Sequence, residues 1–256
     1  MLDKVGKFDL VAEPFHVDFT SRLSLSVLGN HLLNCAGFHA SDRGFGIGDL
    51  NEHHYTWVVS RLSIEMFDMP HAYEHFFVET WIERVHRLFT DRNFLVSDKD
   101  GKILGYARSV WAMIDLETRR PADLLSLHGG TISEWICDKT CPIEKPSRLK
   151  AACTSPMGTH KVTYSDIDIN GHVNSIKYIE HILDRYPIDM FQEGRGVRRF
   201  EIAYIAETRF GDTLSFFSSE SNVGAGRAPA RQNIADEIEV KNGSGETVVR
   251  SKVIFR

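Results

Sequence analysis

Cysteine is scarce in this chain of 256 residues: Cys35, Cys137, Cys141 and Cys153 are all there is. So few thiols do not make a disulfide framework, and they point to a reducing compartment. Cys137 and Cys141 stand close together with no second pair beside them, so no structural zinc site is expected. The four are read as inert thiols. Long apolar runs are missing as well, and none approaches the roughly 20 residues of a membrane-spanning helix. The opening MLDKVGKFDLVAEPF mixes charges without a continuous apolar core, unlike a signal peptide. It also lacks the Arg- and Ser-rich, acid-poor look of a transit peptide. A cytoplasmic protein is expected. Positive charge is not in excess: 30 basic against 35 acidic residues give a formal net charge of -5. That excludes a globally basic nucleic-acid footprint.

Familiar catalytic signatures are absent too. No G-x-S-x-G elbow occurs, so a serine of the α/β-hydrolase type is unsupported. Neither a G-x-x-x-x-G-K-[ST] phosphate loop nor HExxH is present. Gly44-Phe-Gly46-Ile-Gly48 is glycine-rich but does not follow a strand in a βαβ unit, and it is read as a loop. His53 and His54 are adjacent and cannot easily face one metal. No metal and no cofactor is expected.

What is present is ordinary globular composition, 42% hydrophobic and 25% charged, with dominant β signals. Strands are expected over Trp57–Met66, over a long run with a bend from His75 to Asp98, and over Ile103–Asp115 after the Lys99-Asp100-Gly101 turn. The second half offers Arg199–Thr208, Thr213–Asn222, Gln232–Lys241 and Glu246–Arg256, with a turn at Asn242-Gly243. Helical spacing occurs at Leu25, Leu28, Leu32, Cys35 and Ala36 within Ser24–Phe38. It recurs at Val173, Ile176, Ile179, Ile182 and Leu183 within His172–Tyr186.

Each half therefore runs helix first, then antiparallel strands. Gly29 with Gly171, and Gly101 with Gly245, stand at nearly equal offsets. A duplicated α+β unit with its two sheets joined edge to edge explains both facts. The expected boundaries are an N-terminal unit over 1–123, a linker over 124–158 rich in Pro142, Pro146 and Pro156, and a C-terminal unit over 159–256.

The densest polar cluster is Asp166-Ile-Asp168-Ile-Asn170-Gly171-His172-Val-Asn174, directly before the second helix. In an extended segment Asp166, Asp168 and Asn170 share one face. Gly171 permits a tight turn, and His172 is expected to open the helix. Free N–H groups there would favour a developing oxyanion. One Asx residue at this place would be a helix cap; two carboxylates, two asparagines and a histidine exceed what a cap needs. Glu207 lies in a run whose alternation does not fix where it points, and on its own it reads as a surface residue.

The segment DIDINGHVNSIKYIEHILD resembles the D-x-D-x-N-x-H-V-N-N-x-K-Y-I segment of plant and bacterial acyl-ACP thioesterases. Trp57-Val-Val-Ser-Arg61 resembles that family's W-V-V-T-R, and Asp91-Arg92-Asn-Phe-Leu-Val-Ser-Asp98 its R-R-D-W-L-V-x-D. Ser109-Val-Trp111 through Thr118-Arg119-Arg120 resembles S-S-V-W-V-M-M-N-x-x-T-R-R. These matches fall in order along nearly the whole chain. The resemblance implies two tandem hot-dog units, each a long helix wrapped by an antiparallel sheet. It implies an enzyme that hydrolyses the thioester of a fatty acyl chain on acyl carrier protein and releases the free fatty acid. An acyl-CoA thioesterase and a non-catalytic acyl-binding protein are the alternatives.

The resemblance also carries a catalytic set onto Asp168, Asn170, His172 and, through Y-I-A-E-T against Y-R-R-E-C, Glu207. At the offset of the two glycines, Ser26, Leu28 and Asn30 stand where Asp168, Asn170 and His172 stand, so the first half would shape an acyl pocket. The plant pattern has Cys after the glutamate, and here it is Thr208. Direct attack by water, with His172 or Glu207 as the base, then fits better than acyl transfer to a thiol. Acyl carrier protein is acidic, so its docking surface should be basic. Arg195, Arg198 and Arg199 form one candidate cluster and Arg119 with Arg120 another. A homodimer is compatible with this reading.

Overall fold

The strand-forming runs become ten strands in the computed structural model, which describes residues 2–149, 153–192, 196–219 and 235–256. The chain separates into two units, residues 1–145 and 146–256. Among the described residues no helix is long and apolar enough to cross a membrane.

The first unit holds β1 (Gly6–Val11), α1 (Leu25–Ser41), α2 (Ile47–Asn51), β2 (Tyr55–Met66), β3 (His75–Val85), β4 (Thr90–Asp98) and β5 (Ile103–Asp115). Its strands are all antiparallel, in the order β1-β3-β4-β5-β2. Register follows burial: Val78 lies opposite Val96, and Phe94 opposite Ala107, all four with no exposure. One face of α1 is buried through Leu28, Leu32, Cys35, Ala36 and Ala40, the i, i+4, i+7 stripe that an amphipathic helix turns to a core. The run expected as one bent strand is a full hairpin, reversing at His86–Phe89 with His86 N donating to Phe89 O. Nothing in His-Arg-Leu-Phe announces a turn, which is why the run read as continuous.

Trp81 shows why the first unit extends past β5. Its neighbours Thr80 and Ile82 face the opposite side of β3, yet Trp81 is also fully buried. Cys141 and Ile143 cover it. Arg108 on β5 holds that cover in place, with Nη2 donating to Cys141 O at 2.6 Å and Nε to Ile143 O at 2.9 Å. Leu124 and Ile132 enter the core with Phe45, Leu50 and Met113. Much of segment 124–145 is therefore packed on the first unit's own sheet.

The second unit holds β6 (Ser155–Lys161), α3 (Ser175–Leu183), β7 (Val197–Tyr204), β8 (Thr213–Ser218), β9 (Ala235–Lys241) and β10 (Thr247–Phe255). The order is β6-β8-β9-β10-β7, again antiparallel. The expected strand ends at 219–222 and 232–234 fall partly outside the described residues. Buried Ile176, Tyr178, Ile179 and Ile182 line one side of α3. Tyr178 meets Tyr204 of β7 edge to face, with ring centroids 6.2 Å apart. Tyr186, just past the helix, donates to Asp236 at 2.8 Å and packs on Phe255. Each unit thus lays a main helix, α1 or α3, on an antiparallel sheet, with the short α2 added in the first, the hot-dog arrangement that the resemblance implies.

Candidate functional site

The polar cluster lies in the bend that leads into α3. A short 3-10 turn at Tyr164–Asp166 comes first, and an isolated bridge between Ile167 and Val173 closes the loop between them. Within the loop Asp168 N donates to His172 O at 2.8 Å and Gly171 N to Asp168 O at 3.0 Å. The Asp168 carboxylate accepts from Asn170 N at 2.8 Å and His172 N at 3.2 Å. Gly171 sits at φ +77°, with open space around it, so the turn conformation and not crowding calls for glycine.

This geometry corrects two expectations. Asp166, Asp168 and Asn170 do not share a face, because the segment is a turn and not a strand. His172 does not open the helix, which starts at Ser175 with Asn174 as its cap, Asn174 Oδ1 accepting from Ile176 N at 2.9 Å. Val173 N is bonded to Thr208 O, and Lys177 N to Asn174 O. The N–H groups expected to polarise a carbonyl are largely taken by Asp168, Asn174 and Thr208.

His172 and Glu207 do come together. Glu207 lies beyond the end of β7, where Ile205 N and Ala206 N both donate to Val248 O and turn the chain. The bond from Val173 N to Thr208 O, 2.9 Å, sets this segment alongside the bend. His172 Nε2 then lies 3.1 Å from Glu207 Oε2, with the imidazole 17% and the carboxylate 44% exposed. Asn170 is exposed and its side chain makes no hydrogen bond among the described residues. Asp168 serves the loop backbone, so its part is to hold Asn170 and His172.

Thr208, at the place of the family's cysteine, points away from this pair. It is buried, with its hydroxyl 2.5 Å from that of Tyr178, whose own ionisation burial pushes up to about 12. The cysteines agree with the inert reading. Cys35, Cys141 and Cys153 are buried, and burial pushes the thiols of Cys35 and Cys153 up to about 12 and about 11. A thiolate nucleophile is not prepared at either.

Sequence reasoning missed the scaffold under the bend. Asp166 is buried, and His160 of β6 and His181 of α3 both bond to it through Nε2, at 2.9 and 2.8 Å, with their rings stacked at 3.8 Å. Thr163 N adds a third bond to the carboxylate, and Asp166 O accepts from Asn174 N. Burial opposes ionisation of Asp166, but the bonds from His160, Thr163 and His181 hold it well below the usual carboxylate range. Burial and the neighbouring His160 keep His181 below the usual imidazole value. His160, Asp166 and His181 are the group among the described residues with metal-ligand chemistry. Their ligand atoms are engaged with one another.

The first unit builds the same bend. Asp18 N donates to Arg22 O, Ser21 N to Asp18 O and Ser24 N to His16 O. The Asp18 carboxylate accepts from Thr20 N at 2.7 Å and Arg22 N at 3.5 Å. Ser24 caps α1 as Asn174 caps α3. Leu23 N bonds to Pro70 O, while Phe67 N and Asp68 N bond to Leu104 O. Matched bond for bond, Thr20 stands for Asn170, Arg22 for His172 and Met69 for Glu207. The offset drawn from Gly29 and Gly171 was wrong: Ser26, Leu28 and Asn30 belong to α1 itself. Gly171 corresponds to Ser21, which takes φ +61° without being glycine, so no glycine marks the true register.

The first unit has instead a pocket of about 260 Å³, walled by Phe45, Trp57, Ile82, Trp111 and Ile132 with Arg92 among them. Of the expected basic clusters, Arg119 and Arg120 are exposed. Arg199 is buried and bonds Glu201 at 2.7 Å, so it does not contribute to a docking surface. Arg195 lies outside the described residues.

Comparison with known proteins matches residues 8–126 to the acyl-ACP thioesterase N-terminal domain and residues 150–256 to the acyl-ACP thioesterase C-terminal domain. An acyl-ACP thioesterase of Bacteroides thetaiotaomicron, known from a crystal structure, is 61% identical, with 99% of this chain and 98% of that one covered and a TM-score of 0.89. The dodecanoyl-[acyl-carrier-protein] hydrolase of Cinnamomum camphora is 28% identical over 91% of this chain and 63% of its own length. A 12:0-ACP thioesterase of Umbellularia californica shares the fold at 22% identity, with coverage of 99% and 94% and a TM-score of 0.82. The chain spans 53 to 63% of the length of the first curated relatives it matches.

Proposed function

The chain belongs to the acyl-ACP thioesterase family, and on that premise we propose that it hydrolyses the thioester of a fatty acyl chain carried on acyl carrier protein. The observation that supports this most is the His172–Glu207 pair, 3.1 Å apart on a braced bend and open to solvent on the carboxylate side. In this reading His172 Nε2–H holds the Glu207 carboxylate. The free carboxylate oxygen takes a proton from water as the water oxygen attacks the carbonyl carbon. The exposed Asn170 amide donates to the carbonyl oxygen as it becomes an oxyanion. Collapse breaks the C–S bond, the proton passes to the departing sulfur, and fatty acid and carrier thiol leave. Asp168 is a positioning residue, because its carboxylate bonds the N–H groups of Asn170 and His172. Thr208 has no covalent role, since its hydroxyl is buried against Tyr178.

The first unit, with its apolar pocket and with Arg22 and Met69 in place of the pair, supplies the acyl-binding part. Arg119 and Arg120 offer a basic surface to the acidic carrier. Thiol release from matched acyl-carrier and acyl-CoA substrates of graded chain length tests the proposal. Faster turnover of the carrier-bound series is expected. A preference for the CoA series would make the protein an acyl-CoA thioesterase, and no release from either would leave it an acyl-binding protein.

A further inference from the structure

Thr208 is bonded from two directions. Its carbonyl accepts at 2.9 Å from Val173 N, next to His172. Its hydroxyl lies 2.5 Å from the hydroxyl of Tyr178 on α3. Both residues are buried. Tyr178 is in turn seated edge to face on Tyr204 of β7, whose hydroxyl donates to Ser175 O at 2.9 Å. Glu207 stands between this anchor and the bonds from Ile205 N and Ala206 N to Val248 O. Its carboxylate is 44% exposed, so side-chain packing does little to place it, and the backbone on either side must.

The first unit tells which of these ties the fold itself requires. Counted from the bend, Pro70 stands for Thr208, Leu28 for Tyr178 and Met66 for Tyr204. The backbone bond is kept, Leu23 N donating to Pro70 O at 2.8 Å, and Leu28 is fully buried in the place of Tyr178. An apolar residue therefore packs this helix position, and the bend closes without a hydroxyl. The tie between side chains occurs in the copy that carries His172 and Glu207. A buried hydroxyl pair gains little net stability over apolar groups of the same shape, so its use lies in geometry. Bonding residue 208 to α3 fixes how far its neighbour, Glu207, reaches toward the bend. We propose that the Thr208–Tyr178 bond sets the 3.1 Å separation of Glu207 and His172, which makes Thr208 and Tyr178 positioning residues of the reaction. This role rests on the hydrolase reading and gives the residue at the family's cysteine position a task without a thiol.

The test is a double-mutant cycle at the two hydroxyls: Thr208→Val, Tyr178→Phe and both together, with Thr208→Ser as the conservative variant. The urea midpoint, and kcat and KM on one acyl-carrier substrate, are measured for each whole chain. Either single change leaves one buried hydroxyl unpaired and should lower the midpoint. The double change leaves two apolar groups and should bring the midpoint back toward the parent. The rate should not follow it. kcat is expected to fall about 10- to 100-fold in both single variants and in the double alike, the loss that a displacement of about 1 Å brings. KM should stay unchanged, and Thr208→Ser should restore the rate. Nitrogen NMR shifts of the His172 imidazole report the pair without turnover, because the hydrogen bond at one ring nitrogen selects the tautomer. The Nε2–H form is expected to dominate in the parent and to be mixed with the other in Thr208→Val. A kcat that recovers together with the midpoint in the double variant overturns the proposal, since the bond then serves stability alone. So does a parent-like rate and tautomer in Tyr178→Phe, a result that counts even where Thr208→Val does not fold. A parent chain that releases no thiol removes the hydrolase reading, and the tautomer comparison then still shows whether the bond holds the pair. Hydrolysis by the parent and by all the variants at one rate keeps that reading and removes this role.

Discussion

The two units bend the chain before their helices in the same way, yet only the second carries a titratable pair on the bend. Asp18 and Asp168 make the same bonds to the following backbone, and Ser24 and Asn174 cap the helices. The bend is therefore a structural device of the fold, and the His172–Glu207 pair was placed on it in one copy. His172 and Glu207 occupy positions held in the first copy by Arg22 and Met69. A second difference lies beneath. The carboxylate of Asp166 ties His160 and His181 together. In the first copy His16 occupies Asp166's place, and buried His16 Nδ1 and His31 Nε2 have no hydrogen-bond partner. The carboxylate under the second bend is bonded from His160, Thr163 and His181, a bracing that the proposed reaction would need to hold its groups in fixed geometry.

The largest effect should come from breaking this asymmetry at the His172–Glu207 pair. His172→Ala is expected to lower kcat for thioester hydrolysis about 10²- to 10⁴-fold. Arg22→Ala, the matched change in the first unit, should leave it within about threefold. Equal losses in both variants would dissolve the division of labour between the units.

Removing the brace comes next. Asp166→Asn should cost roughly 1.5–3 kcal/mol of stability in urea unfolding, the range for hydrogen bonds to a charged group, and should reduce kcat by loosening the bend. The pH dependence has a definite sign. Asp166 is depressed on folding from an ordinary 3.8 and His181 from 6.5, so the unfolded chain binds more protons in both windows. Their contribution should be fully present at neutral pH. It should fade as pH drops below about 6.5 for His181 and below about 3.8 for Asp166. In Asp166→Asn the lower limb of the urea midpoint against pH should flatten.

A smaller effect distinguishes scaffold from chemistry. Asp18→Ala and Asp168→Ala each remove one turn-capping carboxylate and should each cost about 0.5–2 kcal/mol in urea. Asp168→Ala alone should also lower kcat, because Asn170 and His172 lose their tether. A similar drop in kcat for Asp18→Ala would place first-unit residues in the reaction.

Local features were legible in the sequence. Gly171 marked a turn, and the 3.6-residue stripes of α1 and α3 marked the helices, because each signal is complete within a few residues. The pairing of His172 with Glu207 came from resemblance, since no local pattern brings a residue beyond β7 to the bend. His160 and His181 were missed for the same reason: they reach Asp166 from different elements. The repeat register went wrong where the first unit uses Ser21 and Tyr73 at positive φ, positions that glycine would have flagged.

The most direct test of the account is Glu207→Gln. The change keeps the shape and a hydrogen bond to His172 while removing the proton acceptor. Initial rates of thiol release from one acyl-carrier substrate should be measured for parent and variant, with their urea midpoints compared. The account predicts an unchanged midpoint and a rate lower by about 10²- to 10⁴-fold. A variant that folds and hydrolyses within about threefold of the parent would contradict it.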